Sequence, residues 1–173
     1  MRLLACVALS LVVAMTPVAA KAEFLAPTFE TLSIEGVTEP DWIAGVRDRG
    51  YIGMCSDCPG GMMLLEVRVL GDDGTGGRIR SGETTAATYT EIGEANAARL
   101  GGESAYFGTK KIAFGPALGF KTRARTATGD FAATYQLWSD GKQLLIRVYG
   151  KDQSMVDNVA EKAYSAAAPQ TFR

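Results

Sequence analysis

Cys55-Ser56-Asp57-Cys58 is the arrangement in this chain with the most evident chemical potential. A pair of thiols at that spacing can close a disulfide, exchange electrons as a dithiol, or hold a soft metal ion. Dithiol exchange needs an acidified first thiol, which a helix beginning at the pair usually supplies. Here Pro59-Gly60-Gly61 follows and a strand-like run comes next, so that helix is missing from the expectation. A closed zinc site needs further Cys or His ligands. The only other cysteine is Cys6, near the start, and the chain has no histidine. Copper(I) held by both thiolates and a methionine such as Met54, Met62 or Met63 is chemically reasonable, with core filling as the plain account of those methionines. The favoured reading is a structural disulfide between Cys55 and Cys58. So short a loop gains at most about 2 kcal/mol on the chain-entropy model and serves mainly to set local shape.

A second cluster is basic. Lys121, Arg123 and Arg125 alternate along a predicted strand and share one side of it, and Arg147 can join them from a neighbouring strand. Such a cluster suits a carboxylate, a phosphate or an acidic partner, while its plain structural account is a solvated outer sheet face. Trp138 would strengthen a binding role if it faced out beside the basic row.

The absence of histidine removes the usual proton shuttle near neutral pH, the Ser-His and Cys-His nucleophile pairs and the commonest transition-metal ligand. Carboxylate, lysine and tyrosine chemistry stay open. Gly71-Asp72-Asp73-Gly74-Thr75-Gly76-Gly77 lacks both the Gly-Lys-Ser/Thr of a phosphate loop and the acid ladder of an EF-hand, and reads as a turn or surface loop. No cofactor is expected, and no catalytic constellation is evident.

The elements that must position these residues are clearest at the carboxy-terminal end. Phe120 to Thr126, Phe131 to Trp138 and Gln143 to Tyr149 are alternating runs joined by Ala127-Thr128-Gly129-Asp130 and Ser139-Asp140-Gly141-Lys142. Asp-Gly between apolar runs is a strong hairpin signal, so a three-stranded antiparallel meander is expected over residues 119–149. Phe131, Ala133, Tyr135 and Leu137 form one apolar row, and Leu144, Ile146 and Val148 form another. Their cover follows in the chain. Asp152 or Ser154 can cap a helix over residues 153–168 whose Met155, Val159, Ala163 and Ala167 recur every four residues, with Pro169 stopping it.

Upstream, Thr28 to Ile34 reads as an edge strand, Thr38-Glu39-Pro40-Asp41 as the start of a short helix burying Trp42, Ile43 and Val46, and Met62 to Leu70 as a strand. A helix is expected from Thr84 or Thr85 to Leu100, with Tyr89, Ile92, Ala97 and Leu100 as its apolar positions and Gly93 weakening it by about 1 kcal/mol. Ser104 to Phe107 and Lys111 to Phe114 are short strands. The fold class is α+β, an antiparallel sheet packed against helices.

Arg2, the uncharged segment Leu3 to Met15 and the small residues Val18-Ala19-Ala20 or Ala20-Lys21-Ala22 have the make-up of a cleavable signal peptide over residues 1–22. Cys6 precedes most of the apolar segment, which is the wrong place for lipid attachment. The remaining 151 residues, 23–173, suit one globular domain. They carry 16 bases against 19 acids, since only Arg2 and Lys21 are lost, for a net charge of −3. Mild acidity without a basic tract argues against nucleic acid or an anionic membrane as the main partner, and no integral membrane segment is expected after cleavage. The expected setting is the periplasm or the medium.

The order strand, turn, strand, Ser139-Asp140-Gly141-Lys142, strand, then Asp152 to Ala168 as a closing helix with Phe172 just beyond it resembles the carboxy-terminal half of small PsbP-like α/β/α-sandwich domains. That resemblance implies a non-enzymatic, exported accessory or binding protein that assists a larger complex or a cofactor-bearing enzyme. Its partner would be another exported protein or a small ligand. The alternative is a thiol-disulfide or copper(I)-handling protein built on Cys55 and Cys58.

Overall fold

A computed structural model describes residues 32, 34, 36–37, 42–47 and 50–172. In chain order the elements are β1 (Ile43–Arg47), β2 (Gly50–Cys55), β3 (Met63–Gly71), α1 (Thr75–Ser81), α2 (Ala86–Leu100), β4 (Ala105–Phe114), β5 (Ala117–Arg125), β6 (Phe131–Ser139), β7 (Lys142–Gly150) and α3 (Gln153–Thr171). The strands form one antiparallel sheet in the order β1-β2-β3-β7-β6-β5-β4, so the α+β class read from the sequence holds.

The meander is β5, β6 and β7. Asp140 and Gly141 form the β6–β7 turn at φ 50° and 71°, and the positive φ at both residues is what a two-residue hairpin demands. This seats Ser139 opposite Lys142 and brings Ala133, Tyr135 and Leu137 opposite Val148, Ile146 and Leu144. β3 continues the layer with Met63, Leu65, Val67 and Val69.

α3 lies over this apolar surface, chiefly on β7, β6 and β3. Its N-cap is Asp152, whose carboxylate accepts from the Met155 amide at 2.9 Å. Val156, Val159, Ala160, Ala163, Ala167 and Ala168 are buried against the sheet. The alanines let the helix axis approach closely, and full burial of each facing Leu, Ile or Val contributes about 1.5–3 kcal/mol. The helix runs past the expected stop, with Pro169 inside it. Proline removes one amide donor, the one that would reach the Ser165 carbonyl, and in the turn around it Gln170 and Thr171 add side-chain bonds to the carbonyls of Ala166 and Ala167. Buried Phe172 then closes the end.

α1 and α2 cover the other face of the sheet, where Phe120 and Trp138 bury against Ile79, with Tyr89 and Leu118 at the margin. The glycine-rich stretch therefore is not only loop. Asp72 accepts from the amides of Gly74 and Gly76, and α1 begins at Thr75. A side chain at Gly76 would strike Trp138, so the glycine permits the close approach.

Three upstream readings need correction. Ile43 to Arg47 is a strand, not a helix, because β2 presents an open edge and Ile43 to Arg47 pairs along it. A short apolar run does not reveal which it will be by periodicity alone. Ser104 to Phe107 and Lys111 to Phe114 merge into one strand, β4, whose register shifts between Tyr106 and Gly108. In α2, Ile92 and Leu100 are 56% and 64% exposed. The helix instead turns Tyr89 and Gly93 toward the sheet, since only a glycine leaves room for the Tyr106 ring. The signal peptide at residues 1–22 and most of the Thr28 to Ile34 strand lie outside the described residues, although Ile34 itself is buried in the main core. Among the described residues no helix is long and apolar enough to cross a membrane.

Candidate functional site

The β5 register decides where the basic row goes. Lys121 stands opposite Tyr135, Arg123 opposite Ala133 and Arg125 opposite Phe131, so the three bases share the face that α3 covers. The solvated-face account is therefore incorrect: it was the other β5 row, with Phe120, that passed to the α1–α2 side. The reason is that β5 lies beyond the centre of α3, where the apolar layer gives out and long side chains can reach the helix flank while keeping their charge in water.

There they meet two acids. Arg123 Nε donates to Asp157 at 2.8 Å and Lys121 Nζ contacts Glu161 at 3.4 Å. One helical turn separates the acids and one strand repeat separates the bases, distances of about 6 Å and about 7 Å, so the two ladders match. Arg125 sits farther along, its guanidinium 4.6 Å from the Phe131 ring centre and 5.9 Å from that of Phe107. Arg147 does not join the row. It lies on the opposite face and pairs with Glu66 at 3.5 Å. Trp138 is likewise buried on that face, under α1.

Between α3 and the β4–β5 edge the sheet is left open as a groove of about 410 Å³. Lys121 and Arg123 form its floor over buried Tyr135, Glu161 and Tyr164 the α3 wall, and Phe107, Gly108, Thr109, Lys110 and Ile112 of β4 the other wall. Tyr135 and Tyr164 stack with ring centres 5.1 Å apart. Lys121 Nζ stands 4.8 Å from the Tyr135 ring centre, and the Tyr164 hydroxyl donates to the Ala113 carbonyl on β4 at 3.1 Å. The Tyr135 hydroxyl donates to Glu161 through a short hydrogen bond.

That bond sets the electrostatics of the pair. Desolvation and then Glu161 itself push the Tyr135 phenol well above its ordinary range. The same hydrogen bond, helped by Lys121 and Lys110, holds the Glu161 carboxyl below its ordinary value against the opposing effect of burial. Phenol and carboxylate are thus driven apart, and neither is poised to exchange a proton near neutral pH, where general acid–base work requires it.

Tyr135, Tyr164, Glu161, Asp157 and Lys110 are site residues that reading the sequence for motifs missed. Asp157 and Glu161 did carry a signal, a pair of acids four apart on the flank of the α3 stripe. Tyr135 reads from the sequence only as part of an apolar row.

The cysteines lie elsewhere, between β2 and β3. Cys55 and Cys58 are joined at 2.12 Å as a disulfide. Cys55 is 1% exposed, and the loop turns through a Gly61 amide bond to the Cys58 carbonyl. Met63 is core, while Met54 and Met62 are exposed on either side. Among the described residues no three His, Cys, Asp or Glu side chains converge as metal ligands.

No family model matches the chain, and no curated protein matches it. Among solved structures it is similar to LpqN, a protein involved in cell envelope biogenesis of Mycobacterium tuberculosis. The identity is 12%, the match covers 75% of this chain and 76% of that one, and the TM-score is 0.38.

Proposed function

We propose that this is an exported accessory or binding protein that works by contact instead of turnover, with the groove beside α3 as its contact surface. One observation carries the reading. Lys110, Lys121 and Arg123 gather with two stacked tyrosines around an open groove, whose adjoining acid and phenol are held away from neutral pH in opposite directions. A concave site with aromatic walls, Phe107 and Tyr164, and a few placed charges is suited to hold a small ligand or an acidic segment of a partner. Helices on both faces of the sheet are in keeping with the α/β/α layout that suggested an exported accessory role.

The thiol-handling alternative has less support. An exchange catalyst needs an accessible first sulfur at a helix start, whereas Cys55 is buried at the end of β2 and a turn follows it. The reduction potential of the pair separates the two. A value well below those of exchange catalysts fits a structural bridge, and a value among them favours thiol exchange.

The contact reading is tested on the purified mature chain by backbone NMR during titration with small acids and an acidic peptide. Groove amides, those of residues 108–112 and 161–164, are expected to shift. Appreciable turnover in an unbiased hydrolase and redox screen, abolished by substitutions in the groove, would overturn it.

A further inference from the structure

We infer that the groove takes a small molecule carrying one negative charge, a carboxylate, on a flat apolar body, and that Lys110 receives the carboxylate. This rests on the groove being a contact site, and it follows from a count of charges. Lys110 and Lys121 stand directly opposite each other across the β4–β5 ladder, an arrangement of like charges that costs stability. Glu161 ion-pairs with Lys121, and Asp157 with Arg123. Lys110 lines the same groove and has no ion-pair partner among the described residues. With Asp157, which flanks the groove, counted against Arg123, one cation stays in excess, and that cation, Lys110, is exposed.

The rest of the groove selects the body of the ligand. Ile112, Tyr164 and half-exposed Phe107 offer apolar surface beside Lys110, and the flat member among them is the Tyr164 ring, backed by buried Tyr135. A planar ring laid there displaces water from aromatic surface while its carboxylate forms a charge-assisted hydrogen bond to the ammonium. A volume of about 410 Å³ lies within the range of small-ligand clefts, roughly 300–1,000 Å³. Glu161 disfavours a second negative charge on the ligand, because its own carboxylate is ionised in the groove wall.

The probes are a set of aryl monocarboxylates such as 2-naphthoate, the matching primary amides, an aryl phosphate and an acidic peptide, titrated into the mature chain by NMR. The carboxylates are expected to shift the groove amides and to bind about tenfold more tightly than the amides, the worth of one charge-assisted bond. Lys110→Gln should remove that tenfold advantage without lowering the melting temperature, since Lys110 is exposed on an edge strand and its charge opposes that of Lys121. Lys111→Gln, one residue on and facing the opposite side of the sheet, should leave binding unchanged. Equal affinity for amide and carboxylate, tighter binding of the phosphate or the peptide, or full binding by Lys110→Gln overturns this assignment while leaving the groove a contact site. If no probe, the peptide included, moves the groove amides, both readings fall.

Discussion

Glu161 shows how much one side chain on the rim of a helix is asked to do. It accepts from the Tyr135 hydroxyl and pairs with Lys121, and these two contacts keep its carboxyl below the ordinary value of 4.5. A carboxyl bound more weakly to its proton in the folded chain than in the unfolded one adds stability above the unfolded value, and that stability is lost as pH falls through the folded value. Glu161→Gln should therefore be less stable than the parent at neutral pH, and the gap should close as pH drops below 4.5. Urea unfolding across that range measures it, and a gap that stays constant with pH contradicts the assignment. Because Glu161 is more than half exposed, solvent screening keeps the effect modest.

At the scale of elements, α2 and the cysteine loop each turn on a local constraint. Gly93 faces Tyr106, whose hydroxyl bonds Thr109 at 2.6 Å and so resists displacement. Helix propensity alone makes Gly93→Ala favourable by about 1 kcal/mol, whereas overpacking against a fixed ring costs about 1–3 kcal/mol. The substitution is expected to destabilise the fold in denaturant melts, and to become neutral or stabilising when Tyr106 is also alanine. A stabilising Gly93→Ala in the parent would mean that α2 does not pack as described. For the cysteines, replacing both by serine should lower stability by no more than about 2 kcal/mol, the chain-entropy value for so small a loop. A loss well beyond that would show that the bridge holds more than its own turn.

For the molecule as a whole, one sheet carries two cores. Leu65, Tyr135 and Ile146 bury under α3, while Phe120 and Trp138 bury under α1 and α2. Each layer depends on the same strands, so truncation on either face should lower one shared transition. Ile146→Ala, made in a Trp42→Phe background because Trp42 packs against the α3-side core, is expected to cost about 2–5 kcal/mol, with secondary structure and tryptophan fluorescence melting together although Trp138 is on the far face. Separate transitions for the two probes would show that the layers unfold independently.

The same arrangement explains what could be read beforehand. Period-two alternation in β5 to β7, the Asp140-Gly141 turn and the four-residue recurrence along α3 are local properties, so the meander and its covering helix were determined by the sequence on its own. The Cys55–Cys58 bridge, too, needs only neighbours in the chain. The groove needs more. Which β5 row faces α3 depends on inter-strand register, and whether Arg147 stands with Lys121 depends on strand parity two strands away. Ile43 to Arg47 became a strand because β2 offered a free edge, and Gly93 turned inward because a ring on β4 required it. Those are contacts between segments distant along the chain, and only tertiary packing chooses among the orientations that local spacing leaves equally allowed.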